Sequence, residues 1–194
     1  SYVEGGLCYI FANQQTYVVP ARHFFWIPSG MKHSLRLGHA ATVLRSLYFY
    51  TTDDHTHPFY SRLGIYPATE LLIQMISYTE RWDGTHVKLT NADAVFFLSL
   101  KRLLPQASLQ PLMLSLPVTE DERTLRILKY MENNLSKPIT SGQVSARFNS
   151  SERSMARLFQ HTLGISFLQY LKTLRMIKAI EKLLYFSAKL RGLL

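Results

Sequence analysis

The chain has 194 residues, 47% of them hydrophobic, a length that allows one large or two small domains with a buried core. Its only cysteine, Cys8, excludes an internal disulfide and a thiolate metal site and fits a reducing cytosol, so a cytoplasmic protein is expected; no run of about 18 apolar residues could span a bilayer. The formal charge of +9 is divided unevenly: residues 121–194 hold 13 Lys and Arg against 5 Asp and Glu, and residues 1–120 hold 9 against 8. That asymmetry argues for two domains, the second of which attracts polyanions, with nucleic acid ahead of an anionic membrane surface. The chain opens at Ser1 without an initiator Met or a basic-then-apolar leader, which argues against a signal peptide and for a missing true N-terminus.

From Gly6 to Tyr50 the runs LCYIFA, TYVVP, FFWIPSG, HSLRLG and TVLRSLYFY are strand-like and separated by turn residues, an antiparallel β pattern. In the last run Val43, Arg45, Leu47 and Phe49 alternate with Leu44, Ser46, Tyr48 and Tyr50. Five short strands at this spacing predict a small barrel or sandwich. TTDDHTHPFYS reads as a loop, after which Leu71, Met75 and Tyr78, then Val95, Leu98 and Leu103, stand at helical spacing. PQASLQPLMLSLPVTEDE has three prolines and no clear period, and reads as a linker. The resulting division is 1–104 for a β-rich domain with a helical extension, 105–119 for the linker and 120–194 for a helical domain.

In the last part, Leu125, Leu128, Met131 and Leu135 form a helical stripe behind an acidic first turn, which the helix dipole favours, and Pro138 ends it. Next come SGQVSARF, SERSMARLFQHT and SFLQYLKTLRMIKAIEKLL. Thr140 or Ser141 can cap the first of these, Asn149 tolerates a left-handed turn, and Ser151 can cap the second. With Arg153 at zero and ~100° per residue, Arg157 and Gln160 share its face, while Met155, Leu158, Phe159 and Thr162 gather opposite. Arg reads guanine and Gln reads adenine in the major groove. On an isolated helix such a stripe is simply a solvated face. Here the preceding helix, the turn, the cap and the local charge all favour a helix-turn-helix.

TSGQVSARFNSSERSMARLFQHTLGISFLQYLKTLRMIKAIEKLL resembles the first helix-turn-helix of the AraC/XylS family of bacterial transcription regulators. The matching residues are Val144, Ala146, Ser151, Arg153, Met155, Arg157, Phe159, Thr162, Gly164, Ser166, Arg175, Ala179, Leu183 and Leu184. LSLPVTEDERTLRILKYMENN resembles the approach to that domain, and TYVVPARHFFWIPSGMKHSL the cupin-like effector or dimerisation domain of one branch. The resemblance implies an α+β chain of two domains: an N-terminal antiparallel cupin-like barrel with a helical extension, and an all-α C-terminal domain. It also implies a sequence-specific regulator that binds double-stranded promoter DNA, pairs with a second copy, responds to a small-molecule effector and meets RNA polymerase, with no cofactor.

Arg153, Arg157 and Gln160 are the expected base contacts, beside Ser154 and Ala156. Ser151 and Ser166, at helix N-termini, are expected at phosphates. Tyr9, Phe11, Trp26 and Tyr48 are candidate effector-pocket residues, although aromatic residues on strands commonly form plain core. Ser145 replaces an alanine, a change harmless in size, whereas Ser150 stands where the family buries Met or Leu, so its hydroxyl needs a partner and the motif core is expected to be weaker there. The family's second helix-turn-helix is not found in YFSAKLRGLL, which makes an incomplete copy the expectation. A truncated product acting only through subunit pairing is the alternative. A metal-binding cupin is another, but His33 stands alone on its strand, and His55 and His57 lie in a loop beside Asp53 and Asp54. No Ser-His-Asp order, P-loop or dinucleotide glycine pattern appears, so neither an enzyme nor a metal site is expected.

Overall fold

The structure, a computed structural model, describes residues 1–38, 42–50, 54, 57–82, 92–108, 110–112 and 114–191. Among the described residues, eight strands and six α-helices follow one another as β1 (Tyr2–Gly5), β2 (Leu7–Ala12), β3 (Gln15–Pro20), β4 (His23–Trp26), β5 (Ser34–Leu37), β6 (Val43–Arg45), β7 (Gly64–Pro67), α1 (Glu70–Tyr78), α2 (Ala92–Ala107), β8 (Ser115–Pro117), α3 (Glu122–Asn133), α4 (Ser141–Arg147), α5 (Glu152–Leu163) and α6 (Phe167–Arg191). The fold is α+β, with two antiparallel four-stranded sheets ordered β6-β1-β4-β7 and β5-β2-β3-β8. Among the described residues the sheets do not close into the barrel that the resemblance implies, since β6, β7, β5 and β8 each end a sheet. No helix among them is long and apolar enough to cross a membrane.

Residue contacts divide the chain into two compact units whose segments alternate along the sequence. The first comprises 1–8, 19–32 and 36–113; the second comprises 9–18, 33–35 and 114–194. Within the stretch read as a linker, α2 runs on to Ala107, and Ser115–Pro117 become β8, paired with β3 in the register Thr16 to Leu116. A three-residue strand is too short to show a period.

The first unit buries one face of β1, β4 and β7 under α1 and α2, in a cluster of Tyr2, Phe24, Phe59, Leu72, Ile73, Ile76, Leu100 and Leu104. The stripes expected on α1 and α2 are corrected here. Leu71, Tyr78, Val95 and Leu98 are exposed, and the inward residues are Leu72, Ile73 and Ile76 on α1 and Ala94, Leu100 and Leu104 on α2. Both helices are apolar on several sides, so more than one set of i, i+3, i+4 positions satisfies the period. In β7, a side chain at Gly64 would run into the Tyr66 ring, so only glycine lets that ring lie flat over the strand. The Tyr66 ring in turn stacks on Phe24 at 5.4 Å.

Pro105 lies inside α2 and supplies no N–H for the carbonyl of Lys101, four residues earlier. The Tyr60 hydroxyl takes over that role, donating to the Lys101 oxygen at 2.8 Å. The Lys101 side chain is buried, paired with Asp54 and donating to the Tyr50 carbonyl at 3.2 Å, with the Tyr60 ring 5.2 Å and the Trp26 ring 5.9 Å from its nitrogen. An acidic partner, a carbonyl and two π faces together replace the water that this ammonium loses.

The second unit is organised around Ile127, Met131, Ile139, Val144, Met155, Phe159, Leu163, Phe167, Tyr170, Leu171 and Leu174, with Leu116 of β8 packed against them. Asp121 caps α3, its carboxylate accepting from the Thr124 amide and hydroxyl, both at 2.7 Å. Thr124, Ile127 and Met131 face inward, whereas Leu125, expected in the core, is 44% exposed. Lys178 of α6 bridges Glu132 of α3 at 2.9 Å and Glu181 at 3.0 Å, and Glu181 also accepts the hydroxyl of Tyr9 in β2. This unit carries 13 Lys and Arg against 6 Asp and Glu, so the basic excess read in the sequence belongs to it.

Candidate nucleic-acid interface

The site is built on α4, α5 and the four residues 148–151 between them. Thr140 caps α4 reciprocally: its hydroxyl accepts from the Gln143 amide at 3.3 Å, and the Gln143 side chain accepts from the Thr140 amide at 3.1 Å. At the other end Asn149 takes φ 47°, the left-handed conformation expected of it. The Ser150 amide reaches back to the Ser145 carbonyl at 2.9 Å and the Asn149 amide to that of Ala146 at 3.2 Å, the pair of bonds that closes a helix sharply. Ser151 then caps α5, its hydroxyl accepting from the Ser154 amide at 3.1 Å. Gly164, at φ 69°, ends α5 with its amide on the Gln160 carbonyl.

Burial on α5 follows the expected wheel. Met155, Phe159 and Leu163 are buried, Leu158 and Thr162 are half-buried, and Arg153, Ser154, Ala156, Arg157 and Gln160 are exposed. Phe159 anchors the helix, with its ring 5.3 Å from Phe167 and 6.0 Å from Tyr170. A second link is polar: the Thr162 hydroxyl lies 3.1 Å from that of the fully buried Thr124 on α3. Both contacts fix the roll of α5, and therefore the direction in which Arg153 and Arg157 project.

The hydroxyls expected at phosphates already have local partners. Those of Ser151 and Ser154 lie 2.9 Å apart, and Ser166 caps α6 by accepting from the Gln169 amide at 3.2 Å. Gln160 touches the Gly164 carbonyl at 3.4 Å, a contact weak enough to exchange for a base edge. Two exposed residues extend the face beyond those picked from sequence: His161, ~80° round the helix from Arg153, and Arg147 in the last turn of α4. The wheel that placed Arg157 also places His161.

The motif's weak point is not the one expected. Ser150 is half-buried, and its hydroxyl donates to the Ser151 carbonyl at 3.3 Å, whereas Ser145 is 2% exposed and its hydroxyl has no hydrogen-bond partner. The Ser145 side chain turns into the core, while Ser150 follows the left-handed residue and turns outward.

The candidate effector residues are divided between the two units. Tyr9 is buried on β2 with its hydroxyl on Glu181, and Phe11 is half-buried. Trp26 belongs to the first unit, where its ring lies 5.1 Å from Tyr60 and 5.7 Å from Phe59, and Tyr48 is 93% exposed. Of the loop weighed as a metal site, Asp53 and His55 lie outside the described residues. His57 accepts the Phe59 amide on Nδ1 at 3.2 Å, and Asp54 holds Lys101. Comparison with protein-family profiles, with curated proteins and with solved structures finds no match to this chain.

Proposed function

We propose that the chain is a sequence-specific DNA-binding transcriptional regulator of the AraC/XylS type, with α5 as its recognition helix and α4 as the helix that crosses the backbone. One observation carries the reading. Arg153, Arg157 and Gln160 project from a single exposed face of a helix whose opposite face is buried, whose two ends are capped, and whose roll is fixed. Rigid presentation of guanidinium and amide groups is what bidentate base reading requires. The 13-to-6 basic excess of the second unit supplies the non-specific attraction to phosphate. On this reading the β-rich part is a cupin-like module that pairs subunits or holds a small-molecule effector, and the bound regulator acts on RNA polymerase.

The test is selection from a random double-stranded DNA pool, followed by affinities across a salt series. An enriched sequence bound at least ~10³-fold more tightly than random DNA supports the reading. Binding that falls steeply with salt and enriches nothing refutes specific regulation and leaves only a polyanion binder.

A further inference from the structure

A cleft of about 400 Å³ opens between α3 and α6, within the second unit. Leu125 and Leu128 on α3 and Leu174 on α6 make it apolar, Lys129 and Glu132 stand on its α3 side, and Tyr170 of α6 completes the lining. The helical period explains the gathering. Leu125, Leu128, Lys129 and Glu132 follow one another on one side of α3, and Tyr170 and Leu174 lie one turn apart on α6, so each helix turns a single stripe to the cleft. Leu125, left exposed by the core of the unit, borders it.

Of the three polar side chains at this apolar wall, one is already engaged: Glu132 is paired with Lys178 at 2.9 Å. Among the described residues the Lys129 ammonium has no acidic partner, and the Tyr170 hydroxyl has no hydrogen-bond partner although the residue is only 7% exposed. Burial, and after it the Glu132 carboxylate, push the Tyr170 pKa up to about 12, so the hydroxyl keeps its proton. A nearly buried phenol without a bond is costly unless an acceptor reaches it. The charge left over at the cleft is therefore positive, and the hydrogen-bonding group left over is a donor. Six lining residues are too few for a folded partner, whose stable interface takes roughly 20–30 residues a side, whereas the volume falls within the roughly 300–1,000 Å³ of small-molecule sites. We infer that the cleft between α3 and α6 binds a small amphiphilic carboxylate, its apolar body against Leu125, Leu128 and Leu174 and its carboxylate accepting from Lys129 and the Tyr170 hydroxyl. The residues of this site belong neither to the exposed face of α5 nor to the first unit, and the inference does not depend on DNA binding.

The probes are octanoate and phenylbutyrate, an aliphatic and an aromatic carboxylate, with octylammonium as the cationic counterpart. Each is titrated against the full chain and followed by methyl-resolved NMR. At least one carboxylate is expected to saturate, at least about tenfold more tightly than octylammonium, with the shifted methyls centred on Leu125, Leu128 and Leu174. Lys129→Met should remove the preference for negative charge. Tyr170→Phe, which keeps the ring, should weaken carboxylate binding by about 3- to 10-fold, the loss of one hydrogen bond to a charged acceptor. Leu125→Glu, which sets a like charge at the mouth of the cleft, should abolish it. Leu125 and Lys129 are exposed, so these variants should unfold in urea at the parent midpoint. The inference is overturned if neither carboxylate saturates below about 5 mM, or if octylammonium binds as tightly. It is equally overturned by carboxylate binding that survives Leu125→Glu, by a charge preference that survives Lys129→Met, by unchanged affinity in Tyr170→Phe, or by methyl shifts centred away from the cleft.

Discussion

Replacing Ser145 by alanine should stabilise the protein. The hydroxyl is 2% exposed and without a partner, so folding strips it of hydrogen bonds to water and returns none. That omission costs about 1–3 kcal/mol. Alanine also gains about 0.5 kcal/mol of helix propensity in α4. Against this, the lost oxygen leaves a void of roughly 20 Å³, worth about 0.5 kcal/mol at the cost found for buried cavities. The balance is a gain of about 1–3 kcal/mol, a rise of roughly 2–12 °C in Tm for a chain of this size. Urea unfolding followed by far-UV circular dichroism measures it, and Ser150→Ala serves as the control, expected within about 0.5 kcal/mol of the parent because that hydroxyl is half-buried and already bonded. An unchanged or lowered midpoint for Ser145→Ala refutes the reasoning, because it means that the hydroxyl has a partner in solution. A larger gain from Ser150→Ala refutes the assignment of the weak point.

Arg157→Ala should cost about 1–3 kcal/mol on the selected DNA and relax one position of its sequence, read by repeating the selection; a uniform loss across all sequences makes Arg157 a phosphate contact instead. Tyr60→Phe should destabilise by about 1–3 kcal/mol by orphaning the Lys101 carbonyl, and Pro105→Ala should reduce that penalty by returning the missing N–H, so additivity in urea melts of the double variant would disprove the link. Cys8 is buried and its thiol pushed up to about 11 by desolvation; native protein should therefore react with iodoacetamide at pH 8 far more slowly than urea-unfolded protein, and equal rates would contradict the burial. Hydrogen bonds from the Thr124 hydroxyl and amide lower the Asp121 pKa. A carboxyl depressed by folding contributes stability above its unfolded pKa, and that contribution fades as pH falls through the folded one. Asp121→Asn, which can still cap α3, should flatten the stability profile below about pH 4, and an unaltered profile would remove Asp121 as its source.

Where structure is dictated by neighbours in sequence, it was legible. The cap at Thr140, the turn at Asn149, the cap at Ser151 and the buried face Met155–Phe159 all follow from local chemistry: a hydroxyl that can reach an amide three residues on, a side chain that tolerates positive φ, and a fixed angle per residue. The faces of α1 and α2 were not, because Leu71, Leu72, Ile73, Met75 and Ile76 offer several equally apolar faces and the choice is made by residues far away in the chain. The same holds for β8, whose strand character exists only through pairing with β3, and for the gathering of Trp26, Phe59 and Tyr60 around Lys101. In the candidate interface, composition and period located the exposed guanidiniums, but whether Ser145 or Ser150 lacked a partner depended on which way the backbone turned after Phe148.

The alternation of the two units along the sequence has a consequence for synthesis. Residues 9–18 leave the ribosome about a hundred residues ahead of their partners in the second unit, β8 and the helices through α6. The Val18 amide, which bonds the Leu114 carbonyl at 2.9 Å, closes a loop of roughly a hundred residues, with an entropy cost of about 4 kcal/mol before any contact rewards it. The β2–β3 segment must therefore wait for its second-unit partners while the intervening residues are made, which gives this part of the nascent chain a particular need of a chaperone.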